Sequence, residues 1–301
     1  RAGRRMRGYA PRMDAAVGID LLRSGKAFVD VSAWRSVAVS GSEAIEWLND
    51  LVSAELEELR PSTARRSLLL SPTGGILAEF TVTVIGGTVM LIQDPAQPRS
   101  IATLLEPYVL SSDVQLQDRT GHLGIFAFPG RTIAPDVPGT AWSSPSCLGA
   151  GVDIVSLHED HARLATSFAK VYLQATNEDA EAWRIATGNP RIGVDTEDGD
   201  LPQEARLEGA VSYDKGCFLG QEAVAKMRNL GHPRRWVAAL EGSGSVPLGE
   251  MLSAGDEETG VVTSVTHANG TALALARIRW QHRDAVLRTT RGVELRPRVP
   301  A

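Results

Sequence analysis

Residues 215–222 read Lys215-Gly216-Cys217-Phe218-Leu219-Gly220-Gln221-Glu222, so one of only two cysteines in the chain stands in a glycine-flanked turn beside a lysine. A thiol becomes a nucleophile or a ligand where its thiolate is stabilised. Gly216 and Gly220 allow tight turns on either side of Cys217, and in an extended stretch Lys215 projects to the same side as Cys217. From Gln221 the run Gln-Glu-Ala-Val-Ala-Lys-Met-Arg favours helix and stops at Asn229 and Gly231. Cys217 is thereby predicted to lie just ahead of a helix N-terminus, the end that favours an anion. The alternative for such a residue is a small buried cysteine that only fills a structural turn.

Working outward, Trp183-Arg184-Ile185-Ala186-Thr187-Gly188-Asn189-Pro190-Arg191-Ile192-Gly193-Val194-Asp195 and Leu201-Pro202-Gln203-Glu204-Ala205 precede the octet. Asp30-Val31-Ser32 and Val37-Ala38-Val39-Ser40-Gly41 lie near the start, and Gly260-Val261-Val262-Thr263-Ser264 and Ala274-Leu275-Ala276-Arg277-Ile278 near the end. With Lys215–Glu222, these segments resemble the YgfZ family, folate-binding relatives of the glycine cleavage system T-protein that support the making or repair of iron–sulfur clusters. The octet is similar to the family's K-G-C-Y/F-x-G-Q-E motif, and the likeness runs over about residues 15–298.

The resemblance implies an α+β fold of the T-protein kind, with three domains around a central folate-sized cavity and a small C-terminal β-barrel. It implies tetrahydrofolate or a derivative as cofactor, with Arg184, Gln221 and Glu222 among the residues that hold it. Iron–sulfur proteins or carriers are the implied partners, reached through Cys217 with Lys215 as its cation. Two other readings stand beside it: a tetrahydrofolate-dependent aminomethyltransferase, and a non-catalytic module that docks on iron–sulfur carriers. Where the aminomethyltransferases carry paired aspartates, in the stretch equivalent to Gly74–Phe80, this chain has Ala78 and Glu79. An alanine cannot move a proton, which counts against aminomethyl transfer unless Glu79 substitutes. Ala186 stands where the family has a glutamate that pairs with the pterin ring, and the loss of such a contact costs about 1.5–3 kcal/mol.

Arg228, Arg234 and Arg235 offer either an anion site for a folate glutamate tail or a solvated basic face. His158-Glu159-Asp160-His161 places two imidazoles at helical spacing but shows no third ligand, so no metal is expected. The net charge is −5, with Arg1, Arg4, Arg5, Arg7 and Arg12 all ahead of Asp14, the first acid, so the remainder is more acidic still. Such a body is a poor match for direct nucleic-acid binding, and no membrane partner is expected. No run of about 18 apolar residues is present, and sparse cysteine fits a reducing cytoplasm. At 301 residues and 43% hydrophobic content the chain can bury several cores.

The pattern divides the chain into a basic leader, 1–13, expected to be disordered. The resemblance implies a discontinuous first domain, 14–41 with 119–230, interrupted by an α+β domain at 42–118, and a barrel at 231–301. Ser42 reads as the N-cap of a helix whose apolar positions run from Ile45 to Leu59, with Pro61 beyond its end. Gly86-Gly87 and Asn269-Gly270 each mark a hairpin between β-rich runs. The stretch Arg131–Ala150, rich in proline, glycine and serine, reads as an exposed excursion, which makes Cys147 incidental.

Overall fold

The computed structural model describes residues 14–110, 112–137 and 142–299, so the expected leader lies outside the described residues. From the N-terminal side the elements are α1 (Ala15–Arg23), β1 (Ala27–Asp30), β2 (Arg35–Ser40), α2 (Ala44–Leu51), β3 (Ala64–Leu70), β4 (Ile76–Ile85), β5 (Thr88–Gln93), α3 (Ile101–Leu105), β6 (Gln115–Asp118) and β7 (Leu123–Phe128). They continue as β8 (Trp142–Pro145), β9 (Val152–Leu157), α4 (His161–Phe168), β10 (Leu173–Ala175), α5 (Asn177–Ala186) and α6 (Gln221–Leu230). The last strands are β11 (Arg235–Ser243), β12 (Met251–Ala254), β13 (Glu257–Ala268), β14 (Thr271–Arg279), β15 (Leu287–Thr289) and β16 (Glu294–Pro297).

Two five-stranded sheets, β10-β1-β7-β9-β8 and β3-β4-β5-β2-β6, precede a closed barrel in the order β11-β14-β13-β12-β15-β16. The mixed α+β class and the terminal barrel are as the sequence led us to expect. β2, within the stretch 14–41 assigned to the first domain, crosses to the second sheet and pairs with β5 and β6. Asp30 and Ser32 bring about the change of direction: both the Ser32 amide and its hydroxyl donate to Asp30 Oδ1, at 3.1 and 2.6 Å, and bend the chain after β1.

Period-two alternation explains how the first sheet buries both faces. Ala27 and Val29 of β1 and Ile125 and Ala127 of β7 face α1, α5 and the second sheet. Phe28, Phe126 and Phe128 point the other way, into an aromatic cluster with Leu164 and Phe168 of α4. In β4, Ala78 and Val82 join the core under α2 and α3, which turns Glu79 and Thr81 to the opposite face, towards the first sheet. The barrel interior is filled by Leu240, Leu252, Val262, Ala274 and Ile278. Among the described residues no helix is long and apolar enough to cross a membrane.

Both hairpins form at the expected turns, with Gly86, Gly87, Asn269 and Gly270 all at positive φ. The helix expected from Ser42 to Leu59 stops at Leu51. Its C-terminal carbonyls meet the half-buried Lys215 ammonium there, and Val52, Leu56 and Leu59 enter the core from irregular backbone instead. Ser42 is not its N-cap: the hydroxyl donates to Asp113 Oδ2 at 2.7 Å, and Glu43 holds the cap position.

Candidate functional site

The octet folds as turns leading into α6 rather than as an extended stretch. Gly220 is left-handed at φ 80°, and a Cβ there would come within 2.4 Å of the Ser71 carbonyl, so only glycine fits this close approach. Phe218 is buried among Leu70, Ile76 and Val224, and Leu219 packs on the core under α2, which leaves Cys217 exposed. Lys215 does not serve the sulfur. Its ammonium donates to the carbonyls of Asn49, Val52 and Ala54 at 2.6, 3.0 and 2.8 Å and to Asn49 Oδ1 at 3.0 Å, closing the C-terminus of α2. Burial lowers the Lys215 ammonium to about 8. The expectation failed because side chains two apart share a face only in extended backbone.

The sheets and α5 enclose a cavity of about 420 Å³. Of the residues proposed from the sequence, only Arg184 lines it; Cys217, Lys215, Gln221, Glu222, Arg228 and Arg234 do not. The Gln221 side chain accepts from the Phe218 amide at 3.3 Å, and Glu222 is exposed in the first turn of α6. Arg228 stacks over Tyr213 at 4.0 Å and Arg234 is exposed, so no tail site at the cavity is built from them. Ala186 is 2% exposed, buried with Ile19, Ala182 and Trp183, and does not line the cavity.

What the cavity does hold is a ladder of paired charges flanked by Trp34, Trp183 and Pro190. Arg184 donates to Glu181 and, through Nη1, to Asp195 Oδ2 at 2.6 Å. Arg191 reaches Glu181 Oε2 at 2.7 Å and Asp94 Oδ2 at 2.8 Å. Glu79 pairs with Arg66, whose Nη1 donates to Asn189 Oδ1 at 3.1 Å. Burial alone would raise the Glu181 carboxyl, but Arg184 and Arg191 outweigh it and hold it below the ordinary value. For Arg184 the opposite holds: burial lowers it, and the Glu181 and Asp195 carboxylates outweigh that and raise it.

The thiol that reaches the cavity is Cys147, not Cys217. Its loop is a wall rather than an exposed excursion, with the Leu148 carbonyl accepting from the Trp183 indole at 3.4 Å and the Cys147 amide donating to Asp153 Oδ2 at 2.8 Å. Burial, with Asp153 beside it, pushes the Cys147 thiol well up, so it stays protonated. Sequence reasoning missed Asp94, Cys147, Glu181 and Arg191. Of these only Glu181 carried a local signal, lying one helical turn from Arg184. His161 Nε2 lies 2.8 Å from Asp30 Oδ2 and its ring stacks on Phe126, and among the described residues no group of three or more metal-ligating side chains is assembled.

Residues 13–132 match the family model described as the GCVT N-terminal domain. An aminomethyltransferase of Chlorobium chlorochromatii is 25% identical over 280 residues, 81% of this chain and 76% of that protein. A tRNA-modifying protein YgfZ of Colwellia psychrerythraea is 22% identical over 229 residues, 70% of each chain. The crystal structure of the glycine cleavage system aminomethyltransferase T from Bartonella henselae superposes with a TM-score of 0.78 at 20% identity, covering 94% of this chain and 88% of that one. The fold is the aminomethyltransferase fold. In that fold the charge ladder occupies the junction where both sheets, α5 and the barrel meet.

Proposed function

We propose that the protein binds a reduced folate in the cavity between its sheets and acts as an accessory factor in iron–sulfur cluster assembly or repair, with Cys217 as the thiol that meets its partners. The observation that carries the folate reading is the make-up of the cavity. A pterin is flat and neutral and presents an edge of N–H donors, which suits aromatic walls around carboxylates. Glu181, whose side chain keeps 35% of its exposure, would take that edge, while Trp34 and Trp183 would flank the ring. Bound there, a reduced folate supplies the nitrogen pair that carries a one-carbon unit. Arg66, Arg184 and Arg191 hold the acids in place.

The exposed position of Cys217, outside the cavity, supports contact with another protein rather than attack on the folate. Aminomethyl transfer is the second reading, because Glu79 does present a carboxylate to the cavity, although Arg66 already engages it. Calorimetric titration with 5-formyltetrahydrofolate should show saturable binding. In a deletion strain, iron–sulfur enzyme activities should fall and be restored by Glu79→Ala but not by Cys217→Ala. The reverse pattern would favour the transferase, and restoration by both variants would favour a docking module.

A further inference from the structure

We propose that Asp195 is the positioning residue of the cavity: gripped by the barrel on one side, it orients Arg184 and through it makes Glu181 the carboxylate that a ligand's N–H edge meets. The inference rests on the folate reading for its ligand but on the geometry of the chain for its mechanism. Asp195 is fully buried, and its two oxygens are divided between two parts of the molecule. Oδ1 accepts from Thr263 Oγ1 at 2.6 Å and Ser264 Oγ at 2.7 Å, both on β13 of the barrel. Oδ2 accepts from Arg184 Nη1 at 2.6 Å and from the Arg191 amide at 2.8 Å.

A guanidinium carries five N–H donors in a rigid fork, and every one of those on Arg184 has an acceptor. Nη1 serves Asp195 and the Asn189 carbonyl, the latter at 2.9 Å. Nη2 serves Ser264 Oγ at 2.8 Å and Glu181 Oε1, and Nε serves Glu181 Oε2 at 3.0 Å. The Nε–Nη2 edge can face Glu181 only while Nη1 is held on the far side, and Asp195 is the charged group that holds it. Without Asp195 the fork is free to turn, and Glu181 loses the bidentate partner that fixes its carboxylate at the cavity wall.

The test is a double-mutant cycle on the whole protein, read by calorimetry with 5-formyltetrahydrofolate. Asp195→Asn and Glu181→Gln should each weaken binding about tenfold, the loss expected for a charge-assisted contact. The double variant should bind within about twofold of Glu181→Gln alone, since two residues acting through one contact do not add. An additive loss of about a hundredfold would overturn the proposal.

A second reading needs no ligand. In protein labelled with 15N-arginine, the separate Nη signals of a locked Arg184 should merge in Asp195→Asn, while those of Arg277, held by Asp200 and Glu197, stay unchanged. Separate Arg184 signals in Asp195→Asn would also sink the idea. If the wild type takes up no folate yet the Arg184 signals merge, the folate reading fails and the positioning role stands. Should Asp195→Asn not fold, Ser264→Ala carries both measurements: about threefold weaker binding, absent in the Glu181→Gln background, with partial merging of the signals.

Discussion

Asp153 is 1% exposed behind the Cys147 wall, and burial raises its carboxyl to about 6 against the Cys147 amide and the Ser146 hydroxyl, which pull it down. Between about pH 4 and pH 6 the folded chain therefore holds a proton that the unfolded chain has released. Stability must fall as pH rises through that window, by on the order of 2–3 kcal/mol, and be flat on either side as far as this group is concerned. Asp153→Asn keeps the shape and cannot titrate. Urea unfolding of both proteins from pH 4 to pH 7 should show the wild type losing ground to the variant as pH rises, and parallel curves would refute the assignment. Lys215 teaches a related lesson about legibility. The octet's existence and the start of α6 were readable because caps and glycine turns are local. Where the ammonium went was not, because four acceptors at the end of α2 lie more than 160 positions away.

At the scale of elements, α5 is the wall that the other parts share, and its N-terminus is fixed by a capping box in which Asp179 Oδ2 accepts from the Thr176 amide at 2.8 Å and its hydroxyl at 2.7 Å. α1 crosses it at Gly18, where an added Cβ would come within 2.2 Å of Asp179 Oδ1. Gly→Ala inside a helix ordinarily stabilises by about 1 kcal/mol. Here the sign should reverse, because the carboxylate must leave its cap, worth about 1 kcal/mol, and α1 must lift from the core. Gly18→Ala should cost about 1–2 kcal/mol in denaturant unfolding and lose most of that cost in an Asp179→Ala background. A stabilised Gly18→Ala single variant would show that the helices have room to part. The hairpins were readable from their turn residues, whereas the helix read through Leu59 was not. Val52, Leu56 and Leu59 keep helical spacing yet reach the core from a segment that Asn49 Oδ1, accepting from the Leu56 amide at 2.9 Å, folds back on itself. Periodicity records burial, and two backbones can deliver the same burial.

At the scale of the molecule, the cavity residues come from β1 and the turn after it, β3, β4, β5 and the segment after it, β8 and the loop after it, and α5 with the segment that follows, and no sequence spacing brings them together. The barrel completes this arrangement by docking on α5. Ile185 packs against Val237, Ala239 and Leu275, and Arg298, beyond the last strand, donates to the Ala186 carbonyl at 2.6 Å and the Ile185 carbonyl at 2.5 Å. Those carbonyls end α5 and have no successor within the helix, so a guanidinium there both caps the helix and clamps the barrel to it. Removing it leaves the Ala186 carbonyl unpaired, while the Ile185 carbonyl keeps the Gly188 amide at 3.0 Å, at a cost of about 1–3 kcal/mol. The cost should fall on the junction rather than on either part alone. In hydrogen exchange at rising urea, α5 and the β13–β14 hairpin of the wild type should lose protection together. In Arg298→Ala, α5 should open first while β13–β14, sealed by its own barrel core, keeps its protection. Coincident opening in the variant would mean that Asp195 and Ile185 suffice to couple the barrel to the cavity wall, and that Arg298 is a cap and nothing more.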